Sequence, residues 1–111
     1  MEINFQKQDI AGNLGYVWSL TSGDTGDASL HSGTADRTVQ VGGTFGATGN
    51  VVVEGSLNGT EWHTLRDTFG DPLSFSAPGL RAVLENVVYV RPRVTAGDGT
   101  TAINVTLNVR R

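Results

Sequence analysis

A chain of 111 residues is large enough for a single hydrophobic core and too short for two. Hydrophobic residues make up 38% and charged residues 17%, so Thr, Ser, Asn and Gly must cover much of the surface, as in a loop-rich β protein rather than a helical one. A net charge of -3 argues against binding nucleic acid or an anionic membrane by bulk attraction, and the absence of cysteine excludes disulfides and thiolate metal sites.

Residues 1–15 show no sustained period. Ile3, Phe5, Ile10 and Leu14 are scattered among Gln, Lys, Asn and Gly. Either Ile3 and Phe5 alternate in a short strand, or the segment is an extended arm whose apolar side chains dock on a partner. We set residues 1–15 apart as an N-terminal arm and take residues 16–111 as one sandwich domain. Residues 16–20, YVWSL, read as a strand with Val17 on one face and Tyr16 and Trp18 on the other.

Residues 21–36, TSGDTGDASLHSGTAD, are long for a connection inside a small domain. Leu30 is expected to pin them to the core. Asp24 and Asp27 invite a calcium reading, but the alternating oxygen ligands closed by a glutamate are missing. Both therefore read as solvated loop carboxylates. Residues 37–42 alternate cleanly, with Val39 and Val41 sharing a face, and Phe45 is the expected buried anchor after them.

Residues 50–66, NVVVEGSLNGTEWHTLR, carry the clearest hairpin signal. Val51 to Val53 are β-branched, and Asn58-Gly59 offers the positive φ angles of a tight turn. Trp62 and Leu65 lie three apart, so a bulge is expected to turn both inward. Glu54 and Glu61 flank the turn as solubilising charges. A turn cluster over residues 67–72 precedes a short strand at 73–75, and residues 80–85 are extended or form a single turn. In residues 87–94, VVYVRPRV, Val88, Val90 and Val94 face inward and Tyr89, Arg91 and Arg93 outward. Pro92 cannot donate to a ladder, which puts this strand at an edge or leaves it bonded on one side there. Asp98-Gly99 marks a second hairpin turn. The last strand, residues 102–109, presents Ile103, Val105, Leu107 and Val109 on one face, each worth about 1.5–3 kcal/mol when fully buried.

About seven or eight short strands with turn signals between them predict an all-β antiparallel β-sandwich, for which we prefer a jelly-roll-like topology. No nucleophile motif, phosphate loop or helical carboxylate pair occurs. His31 and His63 are the only histidines and lack carboxylate help for a metal. The chain thus reads as a non-enzyme without cofactor or metal. It shows no signal-peptide pattern, so the sequons at Asn58 and Asn104 read as accidents. Trp62 beside its turn would suit sugar stacking, although a packing role is the preferred reading.

The segments VVVEGSLNGTEWHTL, DPLSF and VYVRPRVTAGDGTTAINVTL resemble small structural proteins of tailed bacteriophages. They look like the decoration, or cement, proteins that bind the capsid exterior and have jelly-roll-like sandwich folds. The likeness covers residues 51–107, with a weaker echo in QKQDIAGN. It implies a virion protein, made in the host cytoplasm, that stabilises the capsid by bridging major capsid protein subunits as a dimer or trimer, without nucleic-acid or membrane partners. On that reading Ile3, Phe5 and Ile10 are the expected docking arm, and Arg91 and Arg93 pair with acidic capsid residues. The alternative is a carbohydrate-binding or adhesion module on a virion or tail, with Trp62 stacking on the sugar. An accessory β domain of a larger tail assembly is a third reading.

Overall fold

Period-two alternation of β-branched and polar residues builds the long strands, and turn residues separate them. The computed structural model describes residues 1–10, 13–30 and 35–110, among which no helix occurs. The strands are β1 (Glu2–Ile3), β2 (Gln6–Ile10), β3 (Asn13–Thr21), β4 (Thr25–Gly26), β5 (Ser29–Leu30) and β6 (Ala35–Thr44). They continue with β7 (Asn50–Ser56), β8 (His63–Thr64), β9 (Ser74–Phe75), β10 (Gly79–Val83), β11 (Tyr89–Ala96) and β12 (Ala102–Arg110). The strands beyond the expected number are two-residue pieces such as β4, β5 and β8.

Two sheets make an antiparallel β-sandwich. One has five strands in the order β10-β6-β12-β3-β2, and the other is built along β1-β4-β11-β7-β8, with β5 added to β11 and β9 to β7. From β6 onward the longer strands fall in alternate sheets, the jelly-roll-like feature of the topology. The alternating β12 lies at the centre of its sheet, between β3 and β6. Its Ile103, Val105, Leu107 and Val109 are buried, and meet Trp18, Leu20, Val39, Val41, Val51, Val53, Leu73 and Val90 in one core.

Four local expectations are corrected. The Asn58-Gly59 dipeptide does not close a two-residue turn: β7 and β8 pair through Gly55↔His63, leaving residues 57–62 as a longer loop. Ser56 and Asn58 order that loop, the Ser56 Oγ accepting the Gly59 N–H at 2.9 Å and the Asn58 Oδ1 the Glu61 N–H at 3.0 Å. Leu65 is buried while Trp62 stays half-exposed outside, so alternation holds and no bulge is needed. The Asp98-Gly99 turn joins β11 in one sheet to β12 in the other and so crosses the sandwich. Leu30 is 57% exposed and pins nothing. Its segment is tied down by backbone pairing, Tyr89↔Leu30 and Val90↔Ser29.

Pro92 sits as its chemistry requires. Beside β11, β4 pairs only at Arg93 and β5 only at Tyr89 and Val90, so Pro92 falls in the gap between them. The first fifteen residues depart most from expectation. Instead of a free arm, β1 pairs with β4 in parallel and β2 pairs with β3 along Gln6–Ile10.

Candidate functional site

The outer face of the larger sheet carries the arginines of β11. Arg91 stands directly opposite Glu54 of β7, and Arg93 opposite Val52. The Glu54 carboxylate is buried at 5% exposure. One oxygen accepts from Arg91 Nε at 3.2 Å, and the other from Arg93 Nε at 3.1 Å. The loop after β7 folds back over this face, since a methyl group on Gly59 would lie 3.5 Å from the Tyr89 ring. It thereby brings Trp62 to Arg91, whose guanidinium carbon is 3.9 Å from the indole centroid. The result is a stack of indole, guanidinium and carboxylate with Arg93 beside it.

Arg91 and Arg93, expected to reach a partner's carboxylates, are thus first committed to a carboxylate of their own chain. Two guanidiniums on one carboxylate leave a single net positive charge, and the Arg93 side chain keeps 42% of its exposure. One face of Trp62 is occupied by Arg91, and the residue stays half-exposed. Glu54, expected as a solubilising charge beside the turn, is instead buried under both arginines. Its signal was an acidic residue directly after three valines, a place where an unpaired charge would be costly.

Ile3 and Phe5, expected to dock elsewhere, pack half-buried against their own core. The Phe5 ring meets Tyr16 and Trp18 edge-on, with centroids 5.0 and 5.9 Å away. Ile10 pairs through its backbone with Asn13, and its side chain lies outside the described residues. Asp24 and Asp27 are structural acceptors rather than solvated charges. Asp24 accepts from the Thr21 N–H and hydroxyl at 2.9 and 2.8 Å, and the backbone bond holds its carboxyl below the usual range. His31 lies outside the described residues, and His63 is exposed on β8. Among the described residues no three His, Cys, Asp or Glu side chains converge as metal ligands.

Turn carboxylates supply most of the remaining electrostatics. Asp67 accepts from Arg81 Nε and Nη2 at 2.9 and 2.6 Å, which lowers its pKa. Asp98 is depressed by the Thr100 hydroxyl and by the Thr100 and Ala47 N–H groups. Burial raises Glu85, but the hydrogen bonds and charge of Arg66 outweigh it and leave Glu85 low. A cleft of about 350 Å³ opens beside β8, lined by Leu57, Leu65, His63, Glu85 and Val87 among others. A second, of about 450 Å³, lies where β6, β10 and β12 meet the turn after residue 67.

No protein-family model and no curated relative matches the chain. Among solved structures it is similar to the SPBc2 prophage-derived protein YomS, with a TM-score of 0.67 and 14% identity over 90% of this chain and 96% of that one. A fainter likeness, TM-score 0.43 at 14% identity over 93% of this chain and 79% of the other, joins it to protein NMB1881 from Neisseria meningitidis. At such identity the YomS likeness establishes the fold: the chain is a β-sandwich of the shape that this prophage-derived protein also adopts.

Proposed function

We propose that the protein is a structural component of a tailed-phage virion, which decorates the outer capsid surface and bridges major capsid protein subunits. The observation that carries this reading is the sandwich shared with a prophage-derived protein over nearly the full length of both chains. It agrees with the resemblance of residues 51–107 to decoration proteins. On this reading the attachment surface is the ordered outer face that bears Arg93, Arg91 and Trp62, rather than a free arm. A rigid stack loses little side-chain freedom on contact, and many copies acting on one lattice make modest individual affinity sufficient. On the capsid the protein is a dimer or trimer.

Co-sedimentation with undecorated heads of the phage that encodes this chain tests the reading. Saturable binding in a fixed ratio to the major capsid protein, with heads that then resist heating, is the expected result. Heads that bind none of the folded protein would overturn it.

A further inference from the structure

The cleft on the five-stranded sheet differs in kind from the apolar core and from the arginine stack. Its floor is a row across three neighbouring strands, where Ala82 of β10 stands beside Thr38 of β6, and Thr38 beside Asn108 of β12. Asp36, Thr68, Asn86 and Arg110 complete its polar lining, and Leu84, 46% exposed, adds an apolar surface. At about 450 Å³ the cleft falls within the roughly 300–1,000 Å³ of small-molecule sites.

Two properties mark it as built to receive something. Several polar side chains elsewhere complete the fold: Asn50 ties β7 to Thr95 of β11, Asn58 holds a loop, Asp27 holds the Phe5 N–H, and Asp24, Asp67 and Asp98 hold turns. By contrast Thr38, Asn86, Asn108 and Arg110 have no side-chain hydrogen bond or ion pair to a described residue. Converging amides and hydroxyls left open in a cleft are donors and acceptors available to a ligand. Asp36 holds a left-handed backbone with φ +35°, a conformation found more often at binding sites than elsewhere.

The second property is an exposed aromatic residue next in sequence to one of the lining residues. Thr68 lines the cleft, and the next residue, Phe69, is 90% exposed. Its turn is rigid: the Asp67 carboxylate accepts the Phe69 and Asp71 N–H groups at 2.9 and 3.0 Å, Arg81 clamps Asp67, and Gly70 has φ +88°. A large apolar side chain held outside the core on an ordered turn is preorganised for contact.

We infer that the cleft binds a neutral sugar residue of a glycan, with Asn86, Asn108 and Thr38 bonding its hydroxyls and Leu84 and Phe69 covering its C–H face. Amides and hydroxyls match the donor and acceptor pairs of a polyol. Asp36 and Arg110 cancel in charge, so an anionic ligand gains little from Arg110, which favours a neutral sugar. The site is separate from the arginine stack and stands whether or not the capsid reading does.

The test is a glycan array carrying neutral and acidic glycans, followed by a ¹⁵N chemical-shift titration with the neutral glycan best retained. Expected are shifts at Thr38, Asn86 and Asn108, and a loss of at least about tenfold in affinity for Asn86→Ala with Asn108→Ala, as follows from removing ligand hydrogen bonds. Phe69→Ala should weaken binding in the same direction, and none of these changes should alter capsid co-sedimentation. Retention of no glycan, preference for acidic glycans, shifts confined to the Trp62 side, or unchanged affinity in the folded double variant would each overturn the assignment. If the double variant fails to fold, the shift map of the parent protein decides alone.

Discussion

The indole N–H of Trp18 donates to both the backbone carbonyl and Oδ1 of Asp27, at 3.1 and 3.0 Å. The same Oδ1 accepts the Phe5 N–H at 2.9 Å. One loop carboxylate thus holds a core tryptophan, 1% exposed, and fixes the N-terminal segment against it. Asp27→Ala leaves the indole N–H with the backbone carbonyl of residue 27 alone and removes the acceptor of the Phe5 N–H. A loss of about 1–3 kcal/mol is expected for an acceptor removed from a buried donor, or roughly 4–8 °C in Tm per kcal/mol at this size. Asp27→Asn, which keeps an amide oxygen, should lose less. A parent-like thermal melt for Asp27→Ala would refute the role.

Removal of residues 1–9 should destabilise or unfold the protein rather than trim a free arm. It strips β1 from β4, most of β2 from β3, and the Phe5 ring from Tyr16 and Trp18. The melting curve of the truncated chain decides. If it coincides with that of the parent, the pairing of β1 and β2 contributes little, and a capsid assay on that variant then reports on attachment alone.

The central strands were legible because their period is local. Ile103, Val105, Leu107 and Val109 alternate, and each is buried. Ile3 and Phe5 offered no period because Ile3 ends β1 in one sheet and Phe5 lies in the connection to β2 in the other. Asp24 and Asp27 looked solvated because their partners are a backbone turn and a distant indole, neither visible as spacing. Arg91 and Arg93 were correctly placed outward, but their carboxylate lies across a strand pairing that no local pattern reveals. The cleft residues are legible only after β6, β10 and β12 are laid side by side.

Glu54→Ala should destabilise the fold although Glu54 lies on an outer face. It leaves Arg91 and Arg93 facing each other without their shared carboxylate, at side-chain exposures of 24% and 42%. Because both guanidiniums keep access to water, the loss should be about 1–3 kcal/mol, below the 3–5 kcal/mol of a fully buried pair. Arg93→Ala should lose less than Arg91→Ala, which also surrenders the contact with Trp62. Chemical denaturation of the three variants checks this order. The reverse order would show that the stack is not the source of the stability.

Acid should weaken the protein in a defined window. Asp24, Asp67, Asp98 and Glu85 all have folded-state pKa values below their ordinary ones. The unfolded chain therefore binds protons more readily, and stability rises with pH through this range. Their contribution is complete above the unfolded values, about 4, and is lost as pH falls through the folded ones. Tm should stay level from pH 8 to about 5 and then drop, less steeply for Asp67→Asn. A flat profile down to pH 3 would contradict the depressed values.

Val105→Asp should abolish folding, while Asn108→Asp on the same strand should leave stability almost unchanged. Val105 is 1% exposed, opposite Trp18 on one neighbouring strand and Val41 on the other. A carboxylate there is surrounded by the apolar core, and burying an unpaired charge is not tolerated. Asn108 lies three residues further along, on the opposite face, opposite Thr38 and Gly15. Its side chain takes no part in holding the fold, so the added charge remains in contact with water. Circular dichroism and thermal melts of both variants give the comparison. Parent-like melting of Val105→Asp would mean that β12 does not turn this face to the core, and a large loss for Asn108→Asp would mean that the outer row is part of the packing.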